Sequence, residues 1–362
     1  MCPLDSSNEA RTDDALQGLG ADPPLIGMLR ALQGEAPPGS VVGRVSRVDR
    51  GRFTTLTPDG SMAVATSGIS PVCVGDWCIL SPSSEPETAD LVAVAPRRTA
   101  LVRQSSGMRT EVQALAANVD VVTIVVPLDR DISRHQIERF LALAWDSGAA
   151  PVIMLTKADL VEERVIEEGM AEVHAVSGEL PVVIASVVSG RGMDEVRSFV
   201  EGGSTMALLG TSGSGKSTLV NALMGAEVVQ VGAVREADAK GRHTTTWREL
   251  LVVPSGGVLI DTPGLRELGM WIDEEGIDTV FTDVTDLAAG CRFNDCAHES
   301  EPDCAVLEAI ATGTLDAARL ASYRKLLAEA AYAARQNDDR LARENQKVWR
   351  QRAAEGKRKA RP

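Results

Sequence analysis

Polar and apolar positions change their rhythm four times along these 362 residues. Residues 1–36 are polar, carry Gly and Pro and hold no sustained period, which predicts a flexible lead closed by Pro37-Pro38-Gly39. Over residues 37–98 short β-rich runs follow one another: Val41 to Val48, Phe53 to Leu56, Met62 to Thr66, Asp76 to Leu80 and Asp90 to Ala95. Gly, Pro, Asp and Ser turns separate them, so a small barrel is expected. Across residues 99–270 apolar runs alternate with helical stretches: Val119 to Val126, Ile137 to Ser147, Pro151 to Leu155, Val161 to Ala175, Pro181 to Ala185, Met193 to Glu201 and Met206 to Leu209. This βα repetition predicts a doubly wound parallel sheet with its ligands at the carboxyl ends of the strands. Beyond Leu265 the sheet pattern stops. Leu315, Leu320, Tyr323, Leu326 and Leu327 have helical spacing, so residues 271–335 read as a mostly helical unit and residues 336–362 as a tail.

Composition narrows the class to α/β. Hydrophobic residues make up 44% but aromatic ones only 3%, so the core rests on Val, Leu, Ile and Ala, as in buried parallel strands. No run of about 18 apolar residues appears. The start (Asp5, Glu9, Asp13, Asp14) resembles no targeting signal, so a cytoplasmic protein without a membrane partner is expected. A net charge of −14 argues against a protein that simply coats nucleic acid. The charge is uneven, however: Arg340 to Pro362 carries nine basic residues against Glu344 and Glu355, and basic runs stand at Arg44, Arg47, Arg50, Arg52 and at Arg97, Arg98, Arg103, Arg109. The first of these runs points the barrel, of the five-stranded oligonucleotide-binding (OB) type, toward nucleic acid rather than toward simple packing on its neighbour. The tail suits phosphate contacts or a solvated helix face, with Trp349 able to stack on a base.

Chemistry enters at Gly210-Thr211-Ser212-Gly213-Ser214-Gly215-Lys216-Ser217, which lies between the strand ending at Leu209 and a helix opening with Thr218. Glycines there let backbone N–H groups turn toward phosphate oxygens at a helix N-terminus. Lys216 should reach the β- and γ-phosphates, and Ser217 should ligate Mg²⁺. Asp261-Thr262-Pro263-Gly264 ends a further strand, placing a carboxylate near the metal and the Gly264 N–H near the γ-phosphate. Between them His243, Thr244, Thr245 and Thr246 occupy the place of a switch loop whose threonine closes on Mg²⁺.

Thr156-Lys157-Ala158-Asp159 follows the strand Val152 to Leu155. A carboxylate there accepts two hydrogen bonds from the guanine N1 and N2 edge, a donor pair that adenine lacks; the plainer alternative is a helix cap. Ala185-Ser186 stands where a further loop should touch the base through backbone N–H groups. The base motif precedes the phosphate loop, so one site built from both requires circular permutation. That order predicts a switch strand running into the following unit while the barrel enters from the opposite end of the sheet.

Six cysteines are present, and in a reducing compartment clustered ones suggest metal. Cys73 and Cys78 read as small buried hydrophobes. Cys291, Cys296, His298 and Cys304 supply three thiolates and an imidazole, a filled tetrahedral and therefore structural Zn²⁺ shell.

In this order of motifs the chain resembles the circularly permuted GTPases. Ala117-Asn118-Val119-Asp120, Gly241-Arg242-His243-Thr244-Thr245-Thr246 and Cys291 to His298 with Cys304 make it most similar to the bacterial branch that depends on the small ribosomal subunit. The resemblance implies a circularly permuted P-loop GTPase domain with an N-terminal OB-type barrel and a C-terminal zinc-binding helical domain. It also implies GTP and GDP as ligands, a monomer, late maturation of the 30S subunit, contact with 16S rRNA, and hydrolysis stimulated by the subunit. Departures are Thr156 for Asn, Ala185-Ser186 for Ser-Ala, and Ser214 for Val. Leu265 occupies the place where many GTPases have a water-orienting glutamine, so His243 is the candidate for that task, with an RNA or switch-packing role as the alternative. Gly213 stands where an asparagine would have suggested potassium activation.

Overall fold

The polar lead folds. In the computed structural model, which describes residues 5–49, 51–65, 72–83, 88–104, 112–229, 249–261, 274–332 and 334, helices α1 (Asp5–Gly18) and α2 (Pro23–Gly34) occupy the segment expected to be flexible. α2 begins where the Asp22 carboxylate accepts the Leu25 N–H at 2.9 Å, with Pro23 and Pro24 pre-set for the first turn. Leu16, Leu19, Leu25, Ile26 and Leu29 bury against Val42, Trp77 and Ile79. The break at Gly18 to Asp22 splits the apolar pattern into two short pieces, which hides its period.

Strands β1 (Val41–Asp49), β2 (Arg52–Thr57), β3 (Gly60–Ala65), β4 (Trp77–Pro82) and β5 (Thr88–Val94) run in the order β1-β2-β3-β5-β4, and β4 closes on β1. β3 and β5 pair parallel, while the other neighbours pair antiparallel. The five-stranded barrel is therefore as expected, filled by Val45, Phe53, Val64, Cys78, Leu80 and Ala89. Burial, and next to it Asp76, pushes the Cys73 and Cys78 thiols up, so both are inert apolar side chains.

Arg44 corrects the reading of the barrel's basic run. It is fully buried, donating to Leu19 O, to Gly75 O at 3.3 Å, to Asn118 O at 2.9 Å and to Thr205 Oγ1 at 2.9 Å. Its guanidinium also lies 5.1 Å from the centroid of the Trp77 ring. Arg97 forms a two-pronged pair with buried Asp76 at 2.7 and 2.8 Å, and Arg47 bonds Asp49. Arg52 is exposed, and Arg50 lies outside the described residues. Gly75, at φ +91, is required by this packing, because a Cβ there would stand 2.1 Å from Ala117 O.

β6 (Ala100–Gln104) and β7 (Val112–Ala117) form a separate two-stranded sheet. The main sheet continues with β8 (Val121–Pro127), α3 (Arg134–Asp146), β9 (Ala150–Thr156), α4 (Glu163–Ser177), β10 (Val182–Ile184), α5 (Met193–Ser198), β11 (Thr205–Leu209), α6 (Lys216–Met224), β12 (Glu249–Val252) and β13 (Val258–Asp261). Its order is β10-β9-β8-β11-β13-β12; the first five strands run parallel and β12 antiparallel. β11 is buried at every position, as expected of a strand covered on both faces. The edge strand β12 pairs antiparallel with β1, Arg47 opposite Glu249. The barrel thus joins the sheet at the edge formed by β12, the strand that follows residues 230–248, not at the opposite end as motif order suggests.

The described residues from Glu274 onward belong to a second compact unit. Its described part holds α7 (Glu274–Val280), α8 (Thr282–Ala288), α9 (Ala305–Ala311) and α10 (residues 317–332). Phe281 is buried beneath the Tyr323 ring at 5.3 Å, with the Arg319 guanidinium 4.1 Å from its centroid. Among the described residues no helix is long and apolar enough to cross a membrane.

Candidate functional site

Three motif loops meet at the carboxyl edge of the parallel strands. Gly210 leaves β11 at φ +153, and a Cβ on it would stand 2.6 Å from Val125 O, so the chain turns there only as glycine. Gly215 caps α6 in the left-handed region. Lys216 is buried and donates from Nζ to Gly210 O at 2.7 Å, Thr211 O at 2.6 Å and Ser214 Oγ at 3.1 Å. The ammonium is thus held by loop oxygens, which the more strongly charged oxygens of a phosphate can replace. Ser217 and Thr218 follow, half-buried, in the first turn of α6. Ser212 and Gly213 are exposed at the rim.

Thr156 links the base motif to the phosphate loop. Its Oγ1 donates to Ser214 O at 2.7 Å, with Val126 O at 3.4 Å, so the shorter threonine still ties the two loops together in place of asparagine. Lys157 adopts φ +62 and places Nζ 2.6 Å from Asp129 Oδ2. That hydrogen bond holds the Asp129 carboxyl below its usual range despite some desolvation. Ala158 is buried, and its N–H approaches Ala185 O at 3.5 Å. Asp159 is exposed, as a carboxylate that must meet a ligand should be, and Ser186 Oγ donates to its Oδ1 at 2.6 Å.

This last bond revises the role expected of Ala185 and Ser186. Both backbone N–H groups are already engaged, Ala185 N with Leu155 O at 2.8 Å and Ser186 N with Arg191 O at 3.0 Å. What the pair offers is the Ser186 hydroxyl, which orients the Asp159 carboxylate. Sequence spacing also gave no sign of Asp129 or of its neighbour Arg130, because neither stands in a recurrent motif. His243, Thr244, Thr245, Thr246 and Gly264 lie outside the described residues; the backbone of Asp261 ends β13, opposite Glu249 of β12.

In the second unit the ligand atoms of Cys291, Cys296, His298 and Cys304 all lie within 4.8 Å of one another. Cys291 Sγ to Cys304 Sγ is 3.7 Å, Cys291 Sγ to His298 Nδ1 3.6 Å, and His298 Nδ1 to Cys304 Sγ 3.4 Å. Metal bonds of about 2.3 Å to sulfur and about 2.1 Å to nitrogen give tetrahedral edges of roughly 3.6 to 3.8 Å, so the donor set fits zinc. Burial, then Arg324, lowers the His298 pKa, favouring the neutral imidazole that binds metal. Glu301 accepts the N–H groups of Ala297, Glu299 and Ser300 and so orders the loop after His298.

A glycine-rich strand–loop–helix at Gly210 to Ser217, joined on one parallel sheet to a Thr-Lys-Ala-Asp loop that precedes it in the chain, defines a circularly permuted GTPase. A family model described as RsgA GTPase matches residues 94–271, and a Streptomyces avermitilis protein named Small ribosomal subunit biogenesis GTPase RsgA is 47% identical over 326 residues, 88% of this chain and 87% of that protein. The chain belongs to the RsgA GTPase family and is a GTP-hydrolysing enzyme. A Streptomyces coelicolor protein of the same name is 47% identical over 329 residues, 89% of each chain. The crystal structure of YjeQ from Thermotoga maritima superposes with a TM-score of 0.61 at 27% identity, covering 81% of this chain and 99% of that one. The structure of YloQ, described as a circularly permuted GTPase, shares the fold with a TM-score of 0.57 at 23% identity, covering 81% and 95%.

Proposed function

We propose that this chain hydrolyses GTP during late maturation of the small (30S) ribosomal subunit, binding 16S rRNA, with the subunit stimulating turnover. The observation that carries this reading is the joined site: a buried Lys216 in a complete phosphate loop, tied through Thr156 to a base motif whose Asp159 is open and aimed by Ser186. Likeness over most of the chain to proteins named for small-subunit biogenesis supplies the biological setting.

In this reading Asp159 selects guanine, Lys216 and the amides of 210–218 bind the phosphates, and Ser217 ligates Mg²⁺, with Asp261 behind it. One of Thr244, Thr245 and Thr246 closes the switch, Gly264 meets the γ-phosphate, and His243 orients the water. Bound Mg²⁺ would neutralise charge on the β- and γ-phosphate oxygens. One structural Zn²⁺ held by Cys291, Cys296, His298 and Cys304 would stabilise the second unit. The working division is a barrel at 37–98, the GTPase domain at 99–270, the zinc unit at 271–335 and a basic tail at 336–362, in a monomer of the cytoplasm. Exposed Arg52 on the barrel, and exposed Arg292 and Phe293 beside the zinc ligands, are available to RNA.

Steady-state GTP hydrolysis with purified subunits tests the reading. A large rate increase with 30S and none with 50S is expected; equal rates with either would refute it.

A further inference from the structure

We propose that Arg130 is a catalytic residue of GTP hydrolysis, a guanidinium that the chain itself supplies to the γ-phosphate. The proposal rests on the reading of Gly210 to Ser217 as the GTP phosphate loop. Arg130 stands on the turn between β8 and α3. Its Nη2 donates to Ser212 O at 3.3 Å, and a Cβ on Gly213 would lie 3.2 Å from the same nitrogen. The guanidinium therefore lies across the Ser212–Gly213 peptide. Lys216 Nζ bonds Gly210 O and Thr211 O, so the two cations converge on consecutive carbonyls of one loop.

They are held very differently. Lys216 is buried with three short bonds, whereas the Arg130 side chain is 43% exposed, with one long bond to a neutral carbonyl and Asp129 Oδ1 at 3.7 Å. A charged phosphate oxygen is the stronger acceptor and displaces such a contact. The turn beneath is fixed: Leu128 N bonds Thr156 O at 3.0 Å, and Asp129 is pinned by Lys157. The guanidinium can swing toward a ligand while its backbone stays in place.

The chemistry calls for such a group. The water oxygen bonds to the γ-phosphorus, the bond from that phosphorus to the β,γ-bridging oxygen breaks, and its electron pair leaves on GDP. One water proton passes to a γ-phosphate oxygen, so GTP and water become GDP and dihydrogen phosphate. Negative charge gathers on the bridging and γ-oxygens in the transition state, where a two-pronged guanidinium is the best-matched donor. Leucine at 265 offers nothing to that charge, and glycine at 213 removes the asparagine that would have held potassium there. Arg130 lies over that very glycine.

The test is single-turnover GTP hydrolysis by full-length protein, with and without 30S subunits, beside titrations with fluorescent GDP and with GDP–aluminium fluoride. Arg130→Ala should slow hydrolysis by about 10²-fold or more and weaken the aluminium fluoride complex in step, with the GDP Kd within about twofold. Arg130→Lys should restore little, because an ammonium lacks the fork. Unchanged hydrolysis in Arg130→Ala overturns the proposal. So does a loss of GDP affinity as large as the loss of rate, which would make Arg130 a loop-positioning residue. Failure of the wild-type protein to bind GDP would instead refute the reading of the loop.

Discussion

Replacing Arg44 by methionine separates a structural arginine from an RNA-binding one. The substitution keeps the apolar stem but removes the donors to Leu19 O, Asn118 O, Gly75 O and Thr205 Oγ1. Gly75 O retains the Asn118 amide at 3.0 Å, while the carbonyls of Leu19 and Asn118 lose a buried donor. Each such orphaned group costs about 1–3 kcal/mol, or roughly 2–6 kcal/mol for the two. Part of this is recovered, because a buried guanidinium is itself expensive; burial pulls the Arg44 pKa down to about 10. The net loss is then about 2–4 kcal/mol. For units of this size that lowers Tm by about 5–15 °C in scanning calorimetry. Arg52→Ala, on an exposed position, should leave Tm within about 2 °C. Refutation would be an Arg44→Met protein that melts like wild type yet binds rRNA more weakly, the outcome demanded by a surface role for this residue.

Thr156→Val removes the bond to Ser214 O and should raise the GDP Kd about 2- to 10-fold in a fluorescent-nucleotide titration. Asp159→Asn should collapse the preference for guanine over adenine nucleotides, which a buried donor–acceptor mismatch can set at about 10⁴, as read by competition with GDP and ADP. Glu301→Gln should speed zinc loss to a colorimetric chelator by about tenfold, since a group that orders a ligand loop tunes metal retention. Hydrogen bonds from its own N–H and from Ser300, Ala297 and Glu299 depress the Glu301 pKa from 4.5 to about 2. A depressed acid stabilises above its ordinary pKa and fails only as pH falls through the lowered one. The difference between Glu301→Gln and wild type should therefore be constant from about pH 5 to 8; a difference that fades within this window would count against the cap.

Legibility in the sequence followed locality. The parallel strands, the strand–loop–helix at Gly210 to Ser217 and the Cys291, Cys296, His298 and Cys304 set are each formed by residues a few positions apart; the structure contains the strands and the turn, and it gathers the four side chains into one cluster. Arg44 shows the limit. Val42 to Ser46 of β1 are all buried, because α1 and α2 cover the face that the barrel interior does not, so period-2 alternation vanishes there and a buried arginine looks like its exposed neighbours. The Ser186–Asp159 bond was equally hidden, since it spans 27 residues and both loops must fold before it exists.

The β1–β12 pairing changes what the permutation means. β12 begins at Glu249, directly after residues 230–248, and its partner is the barrel strand that also carries Arg44. Arg44 in turn donates to Thr205, the first residue of the strand that delivers the phosphate loop. The barrel therefore holds the sheet at two places, the edge strand that follows residues 230–248 and the first residue of the strand that leads into Gly210 to Ser217. A barrel attached at β10 would touch neither. Among the described residues the β12 contact is one register pair, Arg47 with Glu249, while the Arg44 contact is a buried network, so the second is the stronger attachment. The barrel, which the permuted order places before Thr156 to Asp159, is thus tied through Arg44 to the strand that leads into Gly210 to Ser217, 161 residues further along the chain.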